Sequence, residues 1–196
     1  MSKRIKEGYR VKNINPFDSF VPFIMVERSD SQNTVSDYFE VAPTEEFIKE
    51  MRAEGLEGFG VLHVILASYV RMVSQRPRVN RYIRGQRIWA RNEISVSLAI
   101  LRKMSIDGVE TTIKMHFKPD YDIYQIYDEV SRALEQGMKE TSTDVVAKVL
   151  SKIPRLFLKF AIHLLKTLDY FNLLPPSLKE ASPFHASMFI TNMASL

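Results

Sequence analysis

Four histidines, His63, His116, His163 and His185, and no cysteine make up the chain's stock of groups suited to proton transfer near neutral pH. Without cysteine, thiol nucleophiles, thiolate metal sites and disulfides are excluded. His116 is the histidine with a carboxylate at a useful spacing: Asp120 follows it by four residues, and Tyr121 comes next. His63 lies in an apolar run from Val61 to Val73 where only Ser68 and Arg71 are otherwise polar, and reads as a core histidine satisfied by a hydrogen bond. His163 shares a polar stripe with Arg155, Lys159 and Lys166. His185 precedes the last strand, and Phe189 stands four residues after it. On that strand Ser187 and Thr191 alternate with Phe189 on one face, two hydroxyls at a spacing of four. The His and carboxylate positions show no metal-ligand spacing, no glycine-rich phosphate loop occurs, and Trp89 reads as packing in a strand.

The elements that must hold these residues follow from periodicity. The Val61–Val73 run is too apolar for an open helix and right for one packed on a sheet, and Pro77 ends it. A short helical turn is expected from Val79 to Ile83, then Gly85 and a strand from Arg87 to Ala90. Ile94, Val96, Leu98 and Ile100 alternate with Ser95, Ser97 and Ala99, which is the period of a strand with small residues on one face. Asp107-Gly108 is a type I′ hairpin signal joining this strand to Glu110–Phe117. Earlier in the chain a helix is expected over Pro16 to Met25, a strand over Val35 to Val41, and a helix capped by Thr44 running to about Glu54. Asp122 with Gln125 forms a capping box for a helix to about Gly137, and Thr141 with Asp144 opens another. The helix from Pro154 to Phe171 is apolar except for its stripe; it packs on the core, docks on a partner subunit or lies on a membrane surface. Its charges recur too often for a membrane span.

At 196 residues, 45% of them hydrophobic, the chain has the size and composition of one domain, residues 1–196, with a sizeable core. The N-terminus is basic but has no apolar stretch behind it, which disfavours secretion and places the protein in the cytoplasm. Net charge is +4, yet nine Lys or Arg against the single acid Glu93 lie between Arg71 and Lys103. Such a strip can attract phosphorylated ligands, or can be a solvated face whose arginines pair with acids elsewhere. No nucleic-acid recognition motif accompanies it, so no nucleic-acid partner is expected.

The segment FGVLHVILASYVRMVSQRPRVNRYIRGQRIWARNEISVSLAILRK, Phe59 to Lys103, has the order buried helix, Arg-Pro-x-x-Asn, Gly-containing turn, two strands. This order resembles the CoA-dependent acyltransferase family, which includes chloramphenicol acetyltransferase and the catalytic domain of the dihydrolipoyl acyltransferases of 2-oxoacid dehydrogenase complexes. The resemblance covers most of the chain: it is strongest from Phe47 to Lys103, extends over Ile113 to Glu135, and SPFHASMFITN, Ser182 to Asn192, is similar to the family strand before its catalytic loop. It implies an α/β two-layer sandwich, a mixed sheet with helices on one face. It also implies acyl transfer between coenzyme A, bound as acyl-CoA, and a small-molecule hydroxyl or lipoyl-type thiol, at a site between subunits of a homotrimer. By analogy Ser187 or Thr191 supplies the hydroxyl that steadies the tetrahedral oxyanion.

The family's general base stands in a C-terminal His-x-x-x-Asp-Gly, and no such motif occurs here. His116 has the spacing to Asp120, but Tyr121 replaces the glycine and the position is mid-chain. The resemblance therefore implies a stand-alone family member without its C-terminal catalytic segment, inactive as this chain, its standing as an enzyme open. The alternative is a non-catalytic binding or assembly protein on the same fold. Pro16 to Met25, matching the family's N-terminal helix, lacks the basic residue used in drug acetylation, and no lipoyl-carrying Asp-Lys-Ala segment is present.

Overall fold

The computed structural model describes residues 4–12, 14–25, 27, 29–101, 110–137 and 154–191. It is a mixed α/β structure with two small sheets. The first is antiparallel in the order β1-β2-β4-β3, from Arg4–Ile5, Gly8–Arg10, Arg87–Arg91 and Arg81–Arg84 respectively. The second has the order β6-β5-β7, from Glu110–Phe117, Ile94–Leu101 and Met188–Thr191. Here β5 pairs antiparallel with β6 and parallel with β7, so the sheet is mixed. Its residue alternation decides what lies on each side. Ile94, Val96 and Leu98 of β5 and Ile113, Met115 and Phe117 of β6 bury one face under two helices, α3 (Val61–Gln75) and α4 (Ile123–Gly137), through Leu66, Val70, Val73, Ile126 and Val130. Met188 and Ile190 of β7 join that core. The other face carries Ser95, Ser97, Lys114 and His116, with Phe189 and Thr191 of the third strand, and Ser187 just before it, in line with them.

Local signals explain most boundaries. Asp122 and Gln125 cap α4 reciprocally: the Asp122 N–H donates to Gln125 Oε1 at 3.0 Å and the Gln125 N–H to Asp122 Oδ1 at 2.8 Å. The Gly60 N–H at the start of α3 donates to His63 Nδ1 at 3.1 Å, and the imidazole stacks on Phe59 at 5.0 Å, so His63 is the satisfied core histidine expected. Trp89 is buried in β4, its indole N–H donating to the Arg84 carbonyl. The β3–β4 hairpin turns through Gly85 and Gln86, both at φ of 55°, which is the type I′ geometry. The other expected I′ turn, Asp107-Gly108, lies outside the described residues, as does the helix opened by Thr141 and Asp144.

Three expectations are corrected. Residues 79–83 are not a helical turn: only Pro77–Val79 is helical, a single 3₁₀ turn, and Arg81 already begins β3, because Tyr82 and Ile83 find ladder partners in Trp89 and Ile88. Val35 to Val41 forms no strand; Val35 and Tyr38 are exposed, and the segment has no ladder partner among the described residues. The second helix, α2 (Ala42–Ala53), starts after Val41 rather than at Thr44, with Pro43 in its first turn where a missing N–H costs nothing. The first helix, α1 (Pro16–Ile24), and α5 (Arg155–Tyr170) stand where the sequence places them, and a short α6 (Pro176–Ala181) precedes β7.

Candidate functional site

Charged residues from both sheets meet around one cluster. In the β3–β4 hairpin, strand alternation turns Arg81 and Ile83 outward and Tyr82 and Arg84 inward. Arg84 is buried, donating to Glu7 Oε2 at 2.5 Å and to Asn172 Oδ1 at 2.7 Å, with Asp169 Oδ1 at 3.3 Å. Lys179 of α6, also buried, reaches Glu7 Oε1 at 2.8 Å and the same Asn172 oxygen at 2.9 Å. Glu7 thus bridges two enclosed cations. Burial by itself would raise its carboxyl pKa, but the hydrogen bonds from Lys179 and Arg84 and their charges outweigh that and hold it below the ordinary value. Asn172 accepts both cations from a left-handed backbone position, φ 62°, that an asparagine tolerates.

A second group stands on the outer face of β5 and β6. His116 Nε2 lies 2.9 Å from Glu180 Oε1 and Nδ1 lies 3.4 Å from Glu93 Oε2. The hydrogen bond to Glu180 raises the imidazole pKa against the opposing effect of burial, and the same bond lowers that of Glu180. Lys114 donates to the Lys179 carbonyl at 2.9 Å, and burial lowers its ammonium pKa. Arg91 ties the two sheets by donating to the carbonyls of His185 and Ala186, each at 3.0 Å, while its guanidinium lies over the Tyr82 ring.

Arg84, Arg91, Lys114, Lys179, His116 and His185 line a small cavity of about 110 Å³ together with Glu7, Glu93 and Glu180. An adjoining cleft of about 690 Å³ shares Arg84, Arg91 and His185 and adds Arg81, Tyr82, Asp169, Ser187 and Phe189. In it His185 Nε2 pairs with Asp169 Oδ2 at 3.1 Å, while Nδ1 is enclosed with no hydrogen-bond partner among the described residues. The Asp169 carboxyl is pushed up by burial, but the hydrogen bond from His185 and the nearby Arg84 prevail and lower it.

The two hydroxyl candidates separate here. Ser187 lines the cleft just before β7; its N–H donates to the Ser95 carbonyl at 2.8 Å and its Oγ accepts the Ser95 N–H at 3.1 Å. Thr191 is exposed at the far end of β7, about 13 Å along the strand, and does not line the cleft. His116 hydrogen-bonds to Glu180 and has the Glu93 carboxylate 3.4 Å from Nδ1; Asp120 is not its partner. His163 is exposed on α5. The arginines of the basic strip do not form one surface: Arg84 and Arg91 turn inward to partners, while Arg78, Arg81 and Arg87 are exposed.

Sequence reading missed Glu7, Asp169 and Lys179 as members of this cluster. They come from three distant segments, and the available signal was the presence of two arginines on strands whose inward face had to bury something. No group of three or more His, Asp or Glu suited to a metal ion occurs among the described residues. Comparison of the chain with protein-family models, curated proteins and solved structures finds no match.

Proposed function

We propose that this chain is a stand-alone protein of the CoA-dependent acyltransferase type, on a chloramphenicol-acetyltransferase-like two-layer sandwich, which binds acyl-CoA and works in the cytoplasm as a homotrimer. The observation that carries the reading is the β6-β5-β7 sheet: helices cover one face, and the cleft beside the other joins the hydroxyl of Ser187, just before β7, to a basic rim at Arg81. An acyl-CoA laid in the cleft would set its thioester near Ser187, as an oxyanion donor, and its adenosine phosphates toward Arg81. The acceptor is a small-molecule hydroxyl or a lipoyl-type thiol.

Turnover by these 196 residues is not part of the proposal, since no His-x-x-x-Asp-Gly base occurs in them. Two observations favour the second reading, a non-catalytic binding or assembly protein on the same fold: His116 Nε2 is held by Glu180, and the spare Nδ1 atoms of His116 and His185 are both enclosed. Calorimetric titration with CoA at low and high salt tests the binding step common to both. The expected result is weak binding that falls as salt rises, is reduced by Arg81→Ala, and is lost with pantetheine, which lacks the adenosine phosphates. No heat at low salt, or binding indifferent to salt, refutes it. Thiol release from acetyl-CoA with several acceptors should be absent for these 196 residues; turnover that His116→Ala abolishes would assign catalysis to the mid-chain histidine.

A further inference from the structure

Helix α5 (Arg155–Tyr170) has no buried side chain among those described, although it runs for more than four turns. At about 100° per residue, Phe157, Phe160, Leu164 and Phe171 fall on one side, and all four are exposed, Phe157 by 69% and Phe160 by 68%. Lys159, His163 and Lys166 share a stripe about 120° round the helix from it, also exposed. From 155 to 168 the sequence contains Arg155, Lys159 and Lys166 and no acid; the first acid, Asp169, is turned inward to Arg84 and His185. Open water does not suit such an apolar face.

We infer that α5 docks flat on an anionic membrane surface, its phenylalanines entering the acyl boundary and its lysines reaching phosphate headgroups along their flexible stems. Charge complementarity selects this occupant, because the helix carries an unopposed basic stripe beside its apolar face. Area counts against a second copy seated on this face alone. A helix of 16 residues offers a strip about 24 Å by 10 Å, well short of the roughly 800 Å² per partner that a stable protein interface buries. The helix lies on the bilayer rather than across it: none among the described residues is long and apolar enough to span one.

The test is flotation of the full chain with phosphatidylserine-containing vesicles and with pure phosphatidylcholine vesicles, alongside light scattering without lipid. Expected are partition into the anionic vesicles only, release by high salt, and loss of about twenty-five-fold in partition for the Lys159→Gln, Lys166→Gln double variant, two lysines each contributing about fivefold. Phe157→Ser with Phe160→Ser should abolish flotation. All four sites are exposed, and unchanged circular dichroism would show that the variants fold. Absence of flotation with anionic vesicles, equal flotation with neutral ones, or undiminished partition of the lysine variant overturns the proposal. A concentration-dependent oligomer without lipid that the phenylalanine variant dissolves, with no vesicle binding, assigns the face to a second copy instead.

Discussion

Replacing Glu7 with glutamine removes one charge and keeps the shape, so it measures what the anion does for the two cations it bridges. The side chains of Arg84 and Lys179 are 5% and 8% exposed, and that of Glu7 27%. Breaking a buried ion pair from one side costs about 3–5 kcal/mol, because the remaining charge is stranded away from water. Two features reduce that figure here. Arg84 keeps Asp169, and both cations keep the Asn172 oxygen; Glu7 is also partly open to screening water. About 2–3 kcal/mol is therefore expected for Glu7→Gln. With a urea m-value of about 2 kcal/mol per molar, the unfolding midpoint should fall by about 1 M.

The pH dependence has a definite sign. The folded carboxyl lies below the ordinary value of 4.5, so its contribution is complete above that pH and is lost as pH falls through the lowered folded value. The gap between wild type and Glu7→Gln should hold near neutrality and narrow on acidification below pH 4.5. A midpoint shift under about 0.2 M at pH 7, or a gap unchanged in acid, would refute the idea that Glu7 neutralises buried cations.

Two further expectations concern the histidines and the close contact of two strands. In a proton NMR titration His116 should titrate above 6.5, because Glu180 holds its proton, and Glu180→Gln should bring it down; His63, whose pKa is lowered by burial, should titrate below 6.5. His116 therefore contributes stability below pH 6.5 that fades as pH rises through its folded value, whereas His63 opposes folding as pH falls through 6.5; equal midpoints for the two would contradict both environments. Gly8→Ala should destabilise by about 1–3 kcal/mol or more, since an added Cβ would come within 2.1 Å of the Ala90 carbonyl oxygen in the paired strand, and a thermal midpoint within a degree of wild type would show that β2 and β4 separate easily.

The core was legible because it is written in local periods. Ile94-x-Val96-x-Leu98 can bury one face in only one register, and the Val61–Val73 run has no face to give to water, so strand and helix had to meet. The Asp122–Gln125 cap was likewise a short-range match between two side chains and two N–H groups. The charged cluster was not legible, because alternation tells that Arg84 and Arg81 oppose one another but not which of them faces inward. Its acids sit 77 residues before Arg84, at Glu7, and beyond residue 168, at Asp169. The Val35–Val41 segment failed for the same reason in reverse: β-branched and aromatic composition favours a strand only where a neighbour offers a ladder.

The parallel pairing of β5 with β7 also orders the way this molecule comes together. Strands β5 and β6 are near neighbours in sequence and can zip with α3 and α4 into a core of mostly short-range contacts. Ser95 and Ser187 are 92 residues apart, and Glu7 and Lys179 are 172 apart. Closing loops of that size costs about 4–5 kcal/mol of chain entropy before any contact repays it. The hairpin with its helices is thus the early structure and β7 the late one. Until β7 arrives, the open edge of β5 displays unpaired N–H and C=O groups beside a formed apolar core, so the moment of greatest danger for misassociation comes in folding rather than in the finished protein. The cleft, which joins Arg84 and Arg91 of the β3–β4 hairpin to His185 and Ser187 beside β7, exists only once that late strand has arrived.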